Sequence, residues 1–200
     1  MRPATLFVFA KPPRIGLSKT RLAKGLGKAA ARRIASFTLA RTLRASKASG
    51  CQVIVCVSPD SQAWGNSGAH TFKGLPRQPQ GRGGLTERLG LALELAPAGP
   101  VLFIGADAPD VNAARLRGAV ARLRRDDAVF GPARDGGFWL FGLNKGPHTR
   151  SPFDGVRWSG PHAMEDVWSN LPARSRIGLL DQLIDIDEVS DWKAWIRRER

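Results

Sequence analysis

The sequence predicts an α/β fold, a three-layer sandwich whose mostly parallel central sheet is covered by helices on both faces. Three observations carry this. Short apolar runs alternate along the chain with segments of helical periodicity. Several of the runs are unbroken rather than alternating, the pattern of strands buried on both faces. The composition, 200 residues with 42% hydrophobic and 24% charged, is that of a globular chain long enough to bury a substantial core. No internal repeat or dividing linker is visible, so residues 1–200 read as one domain.

The elements follow in order. ATLFVFA (4–10) reads as a buried strand, and 28–48 as a long basic helix with Ile34, Phe37, Leu39 and Leu43 inward. A second buried strand occupies 51–57, and Leu85, Leu89, Leu93 and Ala96 mark a helix from Gly84 to Ala96. PVLFIGA (100–106) is a third buried strand, ending at Asp107. Leu116, Val120 and Leu123 form an inward helical stripe among arginines. DAVFGP (127–132) and GFWLFGL (137–143) are strands separated by the turn signal ARDGG, and 161–171 and 190–198 look helical. Residues 58–84 read as the irregular region and 144–160 as a mobile loop.

Charge is unevenly distributed. Lys and Arg number 31 against 17 Asp and Glu, a formal net charge of +14. Residues 1–50 hold twelve bases and no acid, whereas 151–200 hold nine acids and seven bases. A basic half joined to a mildly acidic tail suits a phosphate-binding surface near a metal site. It also suits a nucleic-acid binder, but the basic loop lacks interleaved aromatic residues, so no specific nucleic-acid partner is expected. No apolar stretch approaches the ~20 residues of a membrane span, and the run Thr5 to Ala10 is too short for a signal peptide. Cys51 and Cys56, five positions apart on one strand, point to opposite faces and cannot pair with each other. Buried, unpaired thiols imply a reducing compartment, hence a cytoplasmic protein.

Two segments carry chemistry. KPPRIGLSKTRLA, Lys11 to Ala23, follows a strand directly and precedes a helix, where open α/β sheets bind phosphates. Pro12 and Pro13 stiffen the exit, Gly16 allows a close approach, and Lys11, Arg14, Lys19 and Arg21 supply cations with no neutralising acid. It is not a Walker A loop, because GLSKT lacks the Gly before Lys; GLGKAA (25–30) reads only as a helix start. Removing the solvated cations Lys19 and Arg21 is expected to leave the melting temperature nearly unchanged. The second segment is FIGADAPD, Phe103 to Asp110. Asp107 emerges at the carboxyl end of a buried strand, a position that suits a magnesium ligand, while Asp110 reads equally as a helix cap or a ligand. In ARDGGFW, Asp135 and two glycines suggest a turn that approaches a ligand closely, or an ordinary hairpin. His70, His148 and His162 lack ligand spacing and read as surface residues, and Trp158 is a candidate stacking platform.

Taken together, FAKPPRIGLSKTRLA, TERL, FIGADAPD, GPARDGGFWLFGL and FDGVRWS resemble, in order over about residues 4–192, a bacterial family of glycosyltransferase-A-type transferases. That family is similar to the molybdenum-cofactor guanylyltransferase and phospholactate guanylyltransferase groups. The resemblance implies a glycosyltransferase-A-like fold and a Mg2+- or Mn2+-dependent transferase acting on a nucleoside triphosphate or nucleotide-sugar and a small acceptor. Nucleotidyl transfer is the preferred chemistry, with glycosyl transfer the alternative; a basic nucleic-acid-binding or inactive interaction protein lies further off. By motif, Lys19, Arg21 and Asp107 would be catalytic, with Lys11, Arg14, Gly16 and Arg88 joining Lys19 and Arg21 on the nucleotide. Asp135, Gly136, Gly137 and Trp158 would lie on the acceptor side, and Asp107, Asp135 and Asp187 would bind metal, Asp185 and Asp187 of DID occupying the slot of a late acidic pair. The chain departs from the family pattern in having Phe138 rather than Tyr after DGG and no acid in the GRGG stretch before TERL.

Overall fold

The structure, a computed structural model, describes residues 3–14, 19–65 and 70–199. Its elements are β1 (Thr5–Ala10), α1 (Thr20–Leu26), α2 (Lys28–Lys47), β2 (Gln52–Val57), α3 (Ser61–Trp64), β3 (Arg77–Pro79) and α4 (Leu85–Leu95). There follow β4 (Gly99–Ile104), α5 (Ala113–Arg122), β5 (Ala128–Pro132), β6 (Phe138–Lys145), α6 (Ala163–Ser169), β7 (Ile177–Leu179) and α7 (Val189–Glu199). The strands form one sheet in the order β3-β2-β1-β4-β6-β5-β7. β3, β2, β1 and β4 run parallel, β6 is antiparallel to both its neighbours, and β7 is parallel to β5. Among the described residues no helix is long and apolar enough to cross a membrane.

The unbroken apolar runs are explained by two cores, one on each face. Leu6, Val8, Val55, Leu102 and Ile104 meet Leu39 and Leu43 of α2 and Leu116 and Ala119 of α5. On the other face Phe7, Phe103, Phe141 and Phe130 meet Leu89 and Leu93 of α4 and Val167 of α6. Register places Phe7, Phe103 and Phe141 directly opposite one another on β1, β4 and β6, with ring centroids 5.6 and 6.2 Å apart. Cys51 and Cys56 are free thiols packed on opposite faces, as their spacing requires. A third cluster, Leu22, Ala31, Ile34, Ile186 and Trp195, holds α1 and α7 against α2.

Several expectations are corrected. Phe37 is 36% exposed rather than inward; it edges onto Trp192 and Trp195, because α7 covers that side of α2. Leu85 is also exposed, standing at the start of α4 beyond the helix's buried stripe. The region 58–84 contains α3 and β3. The stretch 144–160 is anchored: Phe153 and Val156 are buried, Thr86 donates to the Phe153 carbonyl, and Arg157 grips Asp166 with two guanidinium bonds. That pairing holds the Asp166 carboxyl down at about 2. Asp110 caps no helix. Asn112 caps α5, its side chain accepting from the Arg115 amide, while Asp110 Oδ1 accepts from the Trp195 indole at 2.8 Å and tethers α7.

ARDGG makes the β5–β6 hairpin turn, and Gly136 in it closely approaches the Pro161 backbone. Gly136 has φ +86°, and a Cβ there would strike the Pro161 backbone. Its carbonyl also accepts from the Met164 amide, locking the hairpin to the start of α6. Gly136→Ala is therefore expected to lower stability by about 2 kcal/mol, combining backbone strain with a rigid clash. Urea unfolding tests it, and a loss below about 0.5 kcal/mol would mean that the turn relaxes freely.

Candidate active site

The site forms where β1 and β4 end. Past β4 the chain turns through Gly105 and Ala106 to Asp107, and past β7 it returns beside the same edge. The Leu183 amide donates to the Pro132 carbonyl, and the Ile186 amide to the Asp107 carbonyl at 3.1 Å. Those two backbone bonds bring Asp185 and Asp187 to Asp107. Lys19 completes the group from the start of α1. Its ammonium lies 2.5 Å from Asp107 and 2.9 Å from Asp187, with the side chain only 6% exposed. Its backbone is left-handed, φ 54° and ψ 54°, which is unfavourable for a residue with a Cβ and is held here by the two ion pairs.

Electrostatics follow from this packing. Burial alone would depress Lys19, but the two carboxylates outweigh it and hold its proton more tightly than usual. Asp185 behaves oppositely. Enclosure, then the neighbouring charges of Asp107, Asp135 and Asp187, push it up to about 7, partly offset by Lys19.

Three cavities open along this edge. The first, 380 Å³, is lined by Lys11, Lys19, Arg21, Asp107 and Asp187, with Phe9 and Thr20. The second, 210 Å³, lies between Phe9, Phe103, Phe138 and Trp158, with Asp135, Gly137 and Asp185 in its wall. The third, 260 Å³, is bounded by Arg21, Arg134, Asp135, Asp185 and Asp187. Shared walls at Phe9, Arg21, Asp135, Asp185 and Asp187 join them into one cleft.

The residues singled out in the sequence divide accordingly. Lys11, Lys19, Arg21, Asp107 and Asp187 come together. Lys19, expected as a solvated loop cation, is instead buried against carboxylates. Arg14 donates to Gln62 of α3 at 2.7 Å. Arg88 reaches the Gly83 carbonyl and the Gln80 amide oxygen, both at 3.1 Å, beside the ends of β2 and β3. Gly16 lies outside the described residues. Asp135 accepts from the Gly137 amide at 3.0 Å and faces the second and third cavities, apart from the Lys19 ion pairs. Among the described residues no three His, Cys, Asp or Glu side chains stand ready to enclose a metal. The expected trio of Asp107, Asp135 and Asp187 is therefore not gathered as a cage. Asp185 was legible only as one member of DID, and the aromatic walls from Phe9, Phe103 and Phe138 read simply as strand core.

A mostly parallel sheet with an antiparallel β6 and a charged cleft along its edge defines a protein of the nucleotide-diphospho-sugar transferase fold. Residues 39–160 match a family model, and the chain belongs to that family, described as "Uncharacterized protein conserved in bacteria (DUF2064)". A protein from Desulfovibrio desulfuricans G20, described as a nucleotide-diphospho-sugar transferase, superposes with TM-score 0.91 at 25% identity, over 100% of this chain and 89% of its own. 4-Diphosphocytidyl-2C-methyl-D-erythritol synthase from Anaerococcus prevotii DSM 20548 superposes with TM-score 0.64 at 10% identity, over 100% and 99%. The manganese complex of Rv0371c from Mycobacterium tuberculosis H37Rv gives 0.59 at 18%, over 98% of each chain. The last two share the fold alone. No curated protein matches the chain in sequence.

Proposed function

We propose that this protein is a divalent-metal-dependent transferase that moves a nucleoside monophosphate from a nucleoside triphosphate to a small acceptor. The observation that supports it is the first cavity, where three cations and two carboxylates share one wall at the carboxyl edge of the sheet. Lys11 and Arg21 are exposed there and neutralise phosphates. The donor set suits Mg2+ or Mn2+: Asp107 and Asp187 already converge on one cation, and such ions take one or two carboxylates plus phosphate oxygens rather than a full protein cage. Bound between them, the metal would neutralise phosphate charge and polarise the phosphoryl group. With the carboxylates held by the metal, the Lys19 ammonium would be available to the phosphates. Positioning and charge neutralisation then supply the rate, with no covalent intermediate.

Glycosyl transfer from a nucleotide-sugar is the second reading, favoured by the description of the Desulfovibrio relative. The released product separates the two, pyrophosphate for the first and a nucleoside diphosphate for the second.

The deciding experiment is nucleotide titration by calorimetry at zero and millimolar Mg2+ or Mn2+. The parent is expected to bind more tightly with metal, and Asp107→Asn to keep its metal-free affinity while losing the increment. A parent indifferent to metal, or a variant that keeps the whole increment, would place the metal elsewhere. No binding of any triphosphate or nucleotide-sugar would end the transferase reading.

A further inference from the structure

The second cavity differs chemically from the first. Its walls are rings, and none of its lining residues is Lys, Arg or His. Trp158 is fixed by its indole N–H, which donates to Thr86 Oγ1 at 2.8 Å, and it meets the edge of Phe138 at 6.2 Å. Phe9 and Phe103 extend the apolar surface, together with Leu85, Leu89 and Ile104. The polar side chains facing this space are mainly carboxylates. Asp135 is tied into its own turn, but Asp185, half-buried, lines the cavity with no protein hydrogen-bond partner among the described residues. A carboxyl that opens onto a cavity without a protein partner is available to a donor that enters that cavity.

We infer that this cavity receives the acceptor, and that the acceptor is a ring compound offering a hydrogen-bond donor, a hydroxyl or an amine, to Asp185 and Asp135 while carrying no phosphate or carboxylate there. The identification as acceptor rests on the transferase reading above; the ligand chemistry rests on the cavity alone. A phosphate in this space would face two carboxylates with no basic side chain in the wall, whereas the cations line the first cavity. Size agrees. An apolar cavity of ~150 Å³ accepts benzene, so 210 Å³ admits one six-membered ring with a short substituent. This separates the chain from transferases whose attacking group is an acceptor phosphate.

The test uses one ring with three head groups: benzyl alcohol, benzylamine and benzyl phosphate. Each is titrated without nucleotide or metal while the Trp158 indole N–H resonance is followed by NMR, the peak being identified by its loss in Trp158→Phe. The alcohol and the amine are expected to shift that resonance saturably and to bind at least about tenfold more tightly than the phosphate. Asp185→Asn should narrow the gap between amine and phosphate. Equal or tighter binding of the phosphate, a Trp158 resonance that none of the three moves, or a gap untouched by Asp185→Asn would overturn the inference. Nucleotide calorimetry on the same sample shows separately whether the transferase reading stands.

Discussion

Asp185→Asn is expected to make the unliganded protein more stable at pH 8 by about 2 kcal/mol, a rise in Tm of about 4–8 °C, and to lose that advantage towards pH 4. The folded protein holds Asp185 near 7, against an ordinary value of 3.8. Between those two values the folded chain binds a proton that the unfolded chain has released. Stability therefore falls as pH rises through that window, and the penalty is fully present above about 7. Asparagine keeps the shape and removes the titrating charge, so the gain appears at high pH and fades on acidification. The figure is set below the full value of the shift because Asp185 opens onto the cavity. Thermal melts of parent and variant from pH 4 to 8 check it. Parallel curves would show that Asp185 titrates normally. Loss of turnover together with gained stability would mark a residue kept against the interest of the fold.

Lys19→Met carries the opposite sign. On the alkaline side the pairing of Lys19 with Asp107 and Asp187 supports the fold fully below the ordinary lysine value of 10.5 and is lost only as pH rises through its raised value, while on the acid side it lasts as long as the carboxylates stay ionised. Removing the ammonium leaves two carboxylates, half exposed, facing each other beside Asp185. A loss of about 2 kcal/mol is expected at pH 8, less than for a wholly buried pair because water screens the carboxylates. The loss should shrink as pH falls and the acids protonate, and millimolar Mn2+ should restore part of it. This replaces the expectation of an unchanged melting temperature, which treated Lys19 as solvated. A variant as stable as the parent across the range would mean that the ion pairs contribute nothing.

What the sequence reveals and conceals has a physical pattern. β1, β2 and β4 were legible because two-sided burial leaves an unbroken apolar run, and Asp107 because it ends one. β3 and β7, three residues each, are held by neighbours rather than by any pattern of their own. The reversed direction of β6 is marked only by the hairpin signal of ARDGG, since a buried strand by itself reads alike either way. The partners of Lys19 could not be read locally, because Asp187 lies 168 positions away. Gly136 was legible as a close approach, but not that Pro161 is what it approaches. Asp110 looked like a cap because Asn112, two residues on, does the capping.

The ion pair of Lys19 with Asp187, 168 positions further along the chain, bears on when the cleft comes into being. Contacts between distant positions form after local ones, since the closure entropy of the intervening chain must first be overcome. An intermediate with only β1, β2 and β4 assembled would hold Lys19 and Asp107 but lack the segment that brings Asp187. Ligand affinity therefore reports on completion of the whole sheet edge, and a refolding chain should recover its secondary structure before it recovers the ability to bind.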